Sequence, residues 1–92
     1  MPVEITHNPA AQRFEAALDG LLCVADYELR DGVMHMTHTG VPPVLRGQGI
    51  AAQLVQAALD HARAHGLKVD PLCSYVRTYM QRHPETQALW AR

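Results

Sequence analysis

Residues 41–55 read VPPVLRGQGIAAQLV. Two prolines lead into Arg46-Gly47-Gln48-Gly49, and an apolar run follows at once. Within that run Ala51, Leu54, Val55, Ala58, Leu59 and Ala62 fall at i, i+3, i+4, i+7, i+8 and i+11, the stripe of an amphipathic helix. Gln53, Gln56, Asp60 and Arg63 lie on the opposite face. The pattern predicts a helix that ends near His65, with Gly66 as its C-terminal cap. The first turn of a helix leaves N–H groups without partners and carries partial positive charge. Glycines in front of it let an anion come close to the backbone. The same glycines can equally be a turn that needs positive φ. Ala52 occupies the third glycine position of the dinucleotide G-x-G-x-x-G fingerprint, and no Lys-Ser/Thr pair follows Gly49 as a nucleotide P-loop requires.

Upstream of this turn the period changes from helical to alternating. Val3, Ile5 and His7 alternate with polar residues up to the turn pair Asn8-Pro9. Phe14, Ala16 and Leu18 alternate with Arg13, Glu15 and Ala17 and then meet Asp19-Gly20. Leu21, Cys23, Ala25, Tyr27 and Leu29 share one face of the next run, which ends at Asp31-Gly32. A fourth run, Val33 to Thr39, sets Met34 and Met36 together. Asp-Gly between alternating runs is a strong hairpin signal, because both turn positions need φ > 0. The first half therefore reads as an antiparallel meander.

Downstream of the helix, residues 67–73 form a short strand that contains Pro71, which has no N–H for a ladder, so the strand lies at an edge or bends there. Ser74 can cap a helix from about Tyr75 to His83. Pro84-Glu85 can open a last helical turn through Trp90. The predicted order is β-β-β-β-α-β-α, an α+β fold with a mixed sheet in which one parallel crossover strand joins the meander. The crossover should be right-handed.

Ninety-two residues allow one core, so residues 1–92 are expected to be a single domain. Hydrophobic residues make up 48% and charged residues 18%, a composition that folds. A net charge of −1 carries no basic surplus for nucleic acid. No run approaches the roughly 20 apolar residues of a membrane helix. The first ten residues lack a signal-peptide pattern, so a cytoplasmic location with Cys23 and Cys73 reduced is expected.

The segment V-P-P-V-L-R-G-Q-G-I-A-A-Q-L resembles the acyl-CoA-binding motif of the GNAT acyltransferase superfamily, in which Q/R-x-x-G-x-G/A joins the fourth strand to the long helix. Here that pattern spans residues 44–49, with Val44 in place of the usual Gln or Arg. Thr37-His38-Thr39-Gly40-Val41-Pro42, the stretch from Gly66 to Val76, and Arg82-His83-Pro84-Glu85 look like the minimal single-domain members. The likeness covers most of residues 30–86. It implies a sheet splayed between its fourth and fifth strands to hold acetyl-CoA. It also implies an N-acetyltransferase that moves an acetyl group from acetyl-CoA to an amine; a monomer or weak homodimer is expected. The two helices that larger members carry between their first strands have no room here, so the acceptor is left open. A non-catalytic acyl-CoA-sensing module is the alternative, and a small interaction domain with a purely structural turn is a third.

On this pattern Arg46, Gly47, Gln48, Gly49, Ile50 and Ala51 surround the diphosphate, with Arg46 pairing to phosphates. Thr39, Gly40 and Val41 would hold the pantetheine arm and polarise the thioester carbonyl. Cys73 stands just before a helix, where a thiol is acidified. It is either an acyl-accepting nucleophile or a small buried residue. His38 is either a base or a strand-face histidine. Tyr75 and Tyr79, one helical turn apart, are alternatives for the acid that protonates the leaving thiolate, or simply pack. Tyr75 would also touch CoA. Cys23 reads as core. His61 and His65 have a metal-compatible spacing without a third ligand and read as a solvated face.

Overall fold

A computed structural model of the protein describes residues 2–91. Its order is β1 (Thr6–Asn8), β2 (Arg13–Leu18), β3 (Leu21–Arg30), β4 (Val33–Gly40), α1 (Ile50–Ala64), β5 (Lys68–Pro71) and α2 (Ser74–Arg82). Short 3₁₀ segments at Pro43–Leu45 and Pro84–Leu89 complete the chain. The strands lie side by side in sequence order. β1 to β4 pair antiparallel, and β4 and β5 pair parallel. The expected mixed α+β architecture is therefore present.

The two Asp-Gly hairpins form as the sequence predicts. Asp19 and Gly20 have φ of 51° and 75°, and Asp31 and Gly32 have 52° and 77°. Both central residues are left-handed in each turn, which matches the twist of the flanking strands.

Alternation then sorts the side chains. Phe14, Ala16, Cys23, Ala25, Tyr27, Met34, Met36 and Val69 bury one face of the sheet. Against it α1 packs Ile50, Leu54, Val55, Ala58, Leu59 and Ala62, and α2 adds Val76 and Met80. Burying each such leucine contributes about 1.5–3 kcal/mol. The other face alternates through Glu15, Val24, Asp26, Glu28, His35 and Asp70, which stay half-buried or exposed. No helix covers that face among the described residues.

Four boundaries differ from the sequence reading. β1 begins at Thr6, because the Val3 amide leaves the ladder and donates to Gln53 Oε1 on α1 (2.9 Å). β5 stops at Pro71, because the next amide, that of Leu72, turns to the Asp70 carbonyl (3.0 Å) instead of to β4. Helix α2 starts at Ser74, so its cap is Cys73 and not Ser74. The last helical turn is 3₁₀. Trp90 then bridges to Val69, which closes the outer edge of β5.

β4 also carries an irregularity that no turn residue announces. Asp26 faces His38 while the next residue, Tyr27, faces Met36. Thr37 is thus an extra residue, a β-bulge. It lies one position beyond the last β4–β5 pair, Met36 with Pro71.

Candidate functional site

The bulge in β4 and the Leu72 turn after β5 together open the sheet. Parallel pairing covers Val33–Met36 on β4 and Lys68–Pro71 on β5 and goes no further. The Cys73 amide makes a last bond to the Met36 carbonyl (2.9 Å), while the Leu72 amide turns back to Asp70 (3.0 Å). Beyond this fork β4 continues to Gly40 with β3 as its partner.

A cleft of about 700 Å³ lies along the end of β4 and the turn beyond it. Its walls come from both sides of the sheet. Leu22, Val24, His38 and Gly40 belong to the helix-free face, and Ile50, Ala51 and Tyr75 to the helices. Thr39, Val41, Arg46, Gly47 and Gly49 also line it. Gln48 is exposed outside the wall.

The glycine turn brings helix α1 to the cleft end-on. Gly47 and Gly49 have φ of 83° and 78°, and a Cβ added at either would meet nothing within 4 Å. The conformation, not crowding, demands glycine, and the space in front stays open. The Ile50, Ala51 and Ala52 amides open the helix and have no backbone partner among the described residues. Arg46 Nε donates to the Val41 carbonyl (3.1 Å), which fixes the guanidinium against the wall.

At the other end, His38 folds over Gly40. A Cβ at position 40 would stand 2.9 Å from His38 Nε2, so glycine lets the imidazole lie flat there. Thr39 Oγ1 is 3.6 Å from Cys73 Sγ across the fork. Burial pushes the Cys73 thiol up, but the Val76, Tyr75 and Thr39 amides and the Thr39 hydroxyl outweigh it, and the net direction is downward. A thiol at the cap position meets the free amides of the first turn, which stabilise the thiolate. Tyr75 is on the cleft wall, and burial raises its hydroxyl above the ordinary tyrosine value, which keeps it protonated.

Of the predicted site residues, Cys73 is not part of the cleft wall and Tyr79 sits elsewhere. Tyr79 does not reach this cleft: its hydroxyl bonds to Gln56 on α1, and its ring stacks on His83 at 3.9 Å. It borders a separate shallow depression with Ile5 and Asp60. Cys23 is fully buried in the core, as its strand face implies. His61 is also not simply solvated. Its ring stacks on His65 at 4.0 Å and meets His7 edge-on at 4.4 Å, and His7 in turn stacks on Phe14 at 4.3 Å. Among the described residues no group of three or more His, Cys, Asp or Glu side chains is placed to hold a metal ion.

A pair that sequence reading did not select lies at the base of the fork. His35 Nδ1 is 2.9 Å from Asp70 Oδ2. The two face each other across the parallel ladder, one step before it ends. The signal was a crossover register, which spans 35 residues and has no local trace.

The family model for GCN5-related N-acetyl-transferases matches residues 13–89. The chain belongs to that family. Protein NATD1 of Gallus gallus is 33% identical over 91 residues, across 96% of this chain and 83% of that protein. Protein NATD1 of Homo sapiens is 33% identical over 91 residues, across 96% and 80%. The solution structure of a GCN5-like protein from Staphylococcus aureus superposes with a TM-score of 0.77 at 27% identity, covering 97% of this chain and 88% of that one. Membership in the GCN5-related family supports an N-acetyltransferase-like function. No helix among the described residues is long and apolar enough to cross a membrane.

Proposed function

We propose that the protein binds acetyl-CoA along the fork and transfers the acetyl group to an amine. One observation carries this reading. A single cleft runs from the free amides at the mouth of α1 along the end of β4 to Tyr75 on α2. The amides and the Arg46 guanidinium suit a diphosphate. The apolar walls from Val41 to Ile50 suit a pantetheine arm, and the backbone after the bulge suits a thioester carbonyl. Bound there, acetyl-CoA supplies an activated acetyl group.

The chain's own residues then have distinct tasks. Thr39 and Gly40 orient the carbonyl and keep water from it. Tyr75, held protonated, gives its proton to the departing sulfur. Cys73 offers a stabilised thiolate 3.6 Å from Thr39 for a two-step route, while direct attack by the amine needs no protein nucleophile. The bare sheet face favours one second reading, an acyl-CoA-binding module without turnover, since no helix encloses an acceptor.

Calorimetry with acetyl-CoA, followed by a colorimetric assay of released thiol over a panel of amines, tests both readings. Saturable binding and amine-dependent release are expected. Binding without release selects the module, and no binding removes the acyl-CoA reading altogether.

A further inference from the structure

We infer that His7, His61 and His65 form a proton-operated latch, which holds the N-terminal segment along α1 at neutral pH and releases it in acid.

The segment is a strap with two pins. At one end the Val3 amide donates to Gln53 Oε1 in the first turn of α1 (2.9 Å), and the same side chain donates to the Gly49 carbonyl (3.3 Å). At the other end the His7 ring meets His61 edge-on at 4.4 Å, and His61 stacks on His65 at 4.0 Å. The spans agree. The extended chain from Val3 to His7 covers about 13 Å, and the helix from Gln53 to His61 covers about 12 Å. The segment therefore runs beside α1 from the glycine turn to the last turn of the helix. Little else holds it. β1 is a three-residue strand at the edge of the sheet, with β2 as its neighbour. Val3 and Ile5 are only partly buried against the core.

Every charge the latch can acquire is positive. His7 stacks on Phe14 of β2 at 4.3 Å and bonds through Nε2 to the Tyr27 hydroxyl of β3 (2.6 Å). His65 Nδ1 donates to the His61 carbonyl (2.9 Å), which keeps those two rings together. The carboxylates of the surrounding elements are engaged elsewhere. Glu4 is exposed, and Glu15 on β2 is held by Asn8 and Arg13 on the opposite face of the sheet. Asp26 and Glu28 alternate away from Tyr27 on β3. On α1, Asp60 is held by Gln56 (2.8 Å) and Arg63 (3.7 Å). Imidazolium rings at these separations therefore repel without a counter-charge.

The direction of the switch follows. Burial and then His65 lower the pKa of His7, and burial, His65 and His7 lower that of His61. Both rings are thus largely neutral while the latch is closed at pH 7. The closed state binds fewer protons than the released one, so acid favours release. The hold is complete above the ordinary histidine value of about 6.5 and is lost as pH falls through the lowered values. A short edge strand is the element that opens first.

Hydrogen exchange of the intact chain at about pH 7.5 and about pH 5, corrected for intrinsic rates, tests this. Ordinary carboxylates titrate near 4 and stay largely ionised across that range, so histidines dominate the difference. Amides of residues 3–8 should exchange at least about tenfold faster at the lower pH, while those of β3 and β4 change by less than about twofold. His61→Phe keeps a ring in place without its charge and should cut the increase to about twofold. If that variant does not fold, His65→Gln decides, because it removes one charge of the stack at an exposed position. A segment that keeps its protection at the lower pH overturns the latch. So does a release that spreads equally over β3 and β4, or one that is undiminished in the variants. The experiment contains no acetyl-CoA, so its outcome is separate from that of the binding assay.

Discussion

Gly47→Asp tests the diphosphate assignment most directly, provided Gly47→Ala is measured beside it. Gly47 has φ of 83°, so any side chain there carries a left-handed backbone cost of about 1–2 kcal/mol. Asp tolerates this backbone slightly better than Ala, so stability alone does not weaken Gly47→Asp more, and neither Cβ meets an atom within 4 Å. Both should thus lose similar thermal stability, roughly 4–8 °C per kcal/mol for a domain of this size. What separates them is charge. A carboxylate about 6 Å from one phosphate charge is repelled by about 0.7 kcal/mol in bulk water and about 3 kcal/mol at an effective dielectric constant of 20. Two phosphate charges double that, so Gly47→Asp should bind acetyl-CoA at least about tenfold more weakly than Gly47→Ala. Titration calorimetry at low ionic strength reads the difference, and added salt should narrow it. Equal affinities for the two variants would show that no diphosphate lies at the mouth of α1.

Other perturbations act on different parts of the molecule. Leu54 is fully buried between α1 and the sheet, so Leu54→Ala should cost about 2–5 kcal/mol in chemical denaturation. Cys73→Ala should keep acetyl-CoA binding and slow turnover; undiminished turnover would leave direct attack as the route. Because the Cys73 thiol is shifted downward, its alkylation by iodoacetamide should reach half its maximal rate below the pH of an ordinary thiol. Burial and then the neighbouring His65 lower the pKa of His7, and burial, His65 and His7 lower that of His61. The folded state therefore binds fewer protons than the unfolded chain. This contribution is complete above the ordinary histidine value of about 6.5 and is lost as pH falls through the folded values. His61→Phe should flatten that acid-side decline in thermal unfolding.

Much of the fold can be read before any coordinates, because its signals are local. Asp19-Gly20 and Asp31-Gly32 need left-handed backbone, and few residue pairs tolerate it. The α1 stripe marks its own buried face, and Pro71 stands where β5 ends. The glycine turn and the Tyr75 side of the cleft follow from these elements. What stays hidden depends on register and helix phase. Thr37 carries no feature that announces a bulge. His35 and Asp70 meet because the crossover sets β5 in one particular register beside β4. Tyr79 points to Gln56 because of how α2 is rotated against α1. His61 looks solvent-facing on a helical wheel, yet the β1–β2 rings rise to meet it.

The turn that ends β5 has a further consequence. A pair of parallel strands ordinarily competes with any guest for its own edge groups, and would zip together when the guest departs. Here the Leu72 amide, the donor for the next rung, is already held by the Asp70 carbonyl (3.0 Å), so the gap persists without anything in it. Ligand entry then carries no cost for prising strands apart, and more of the contact energy is left to show as affinity.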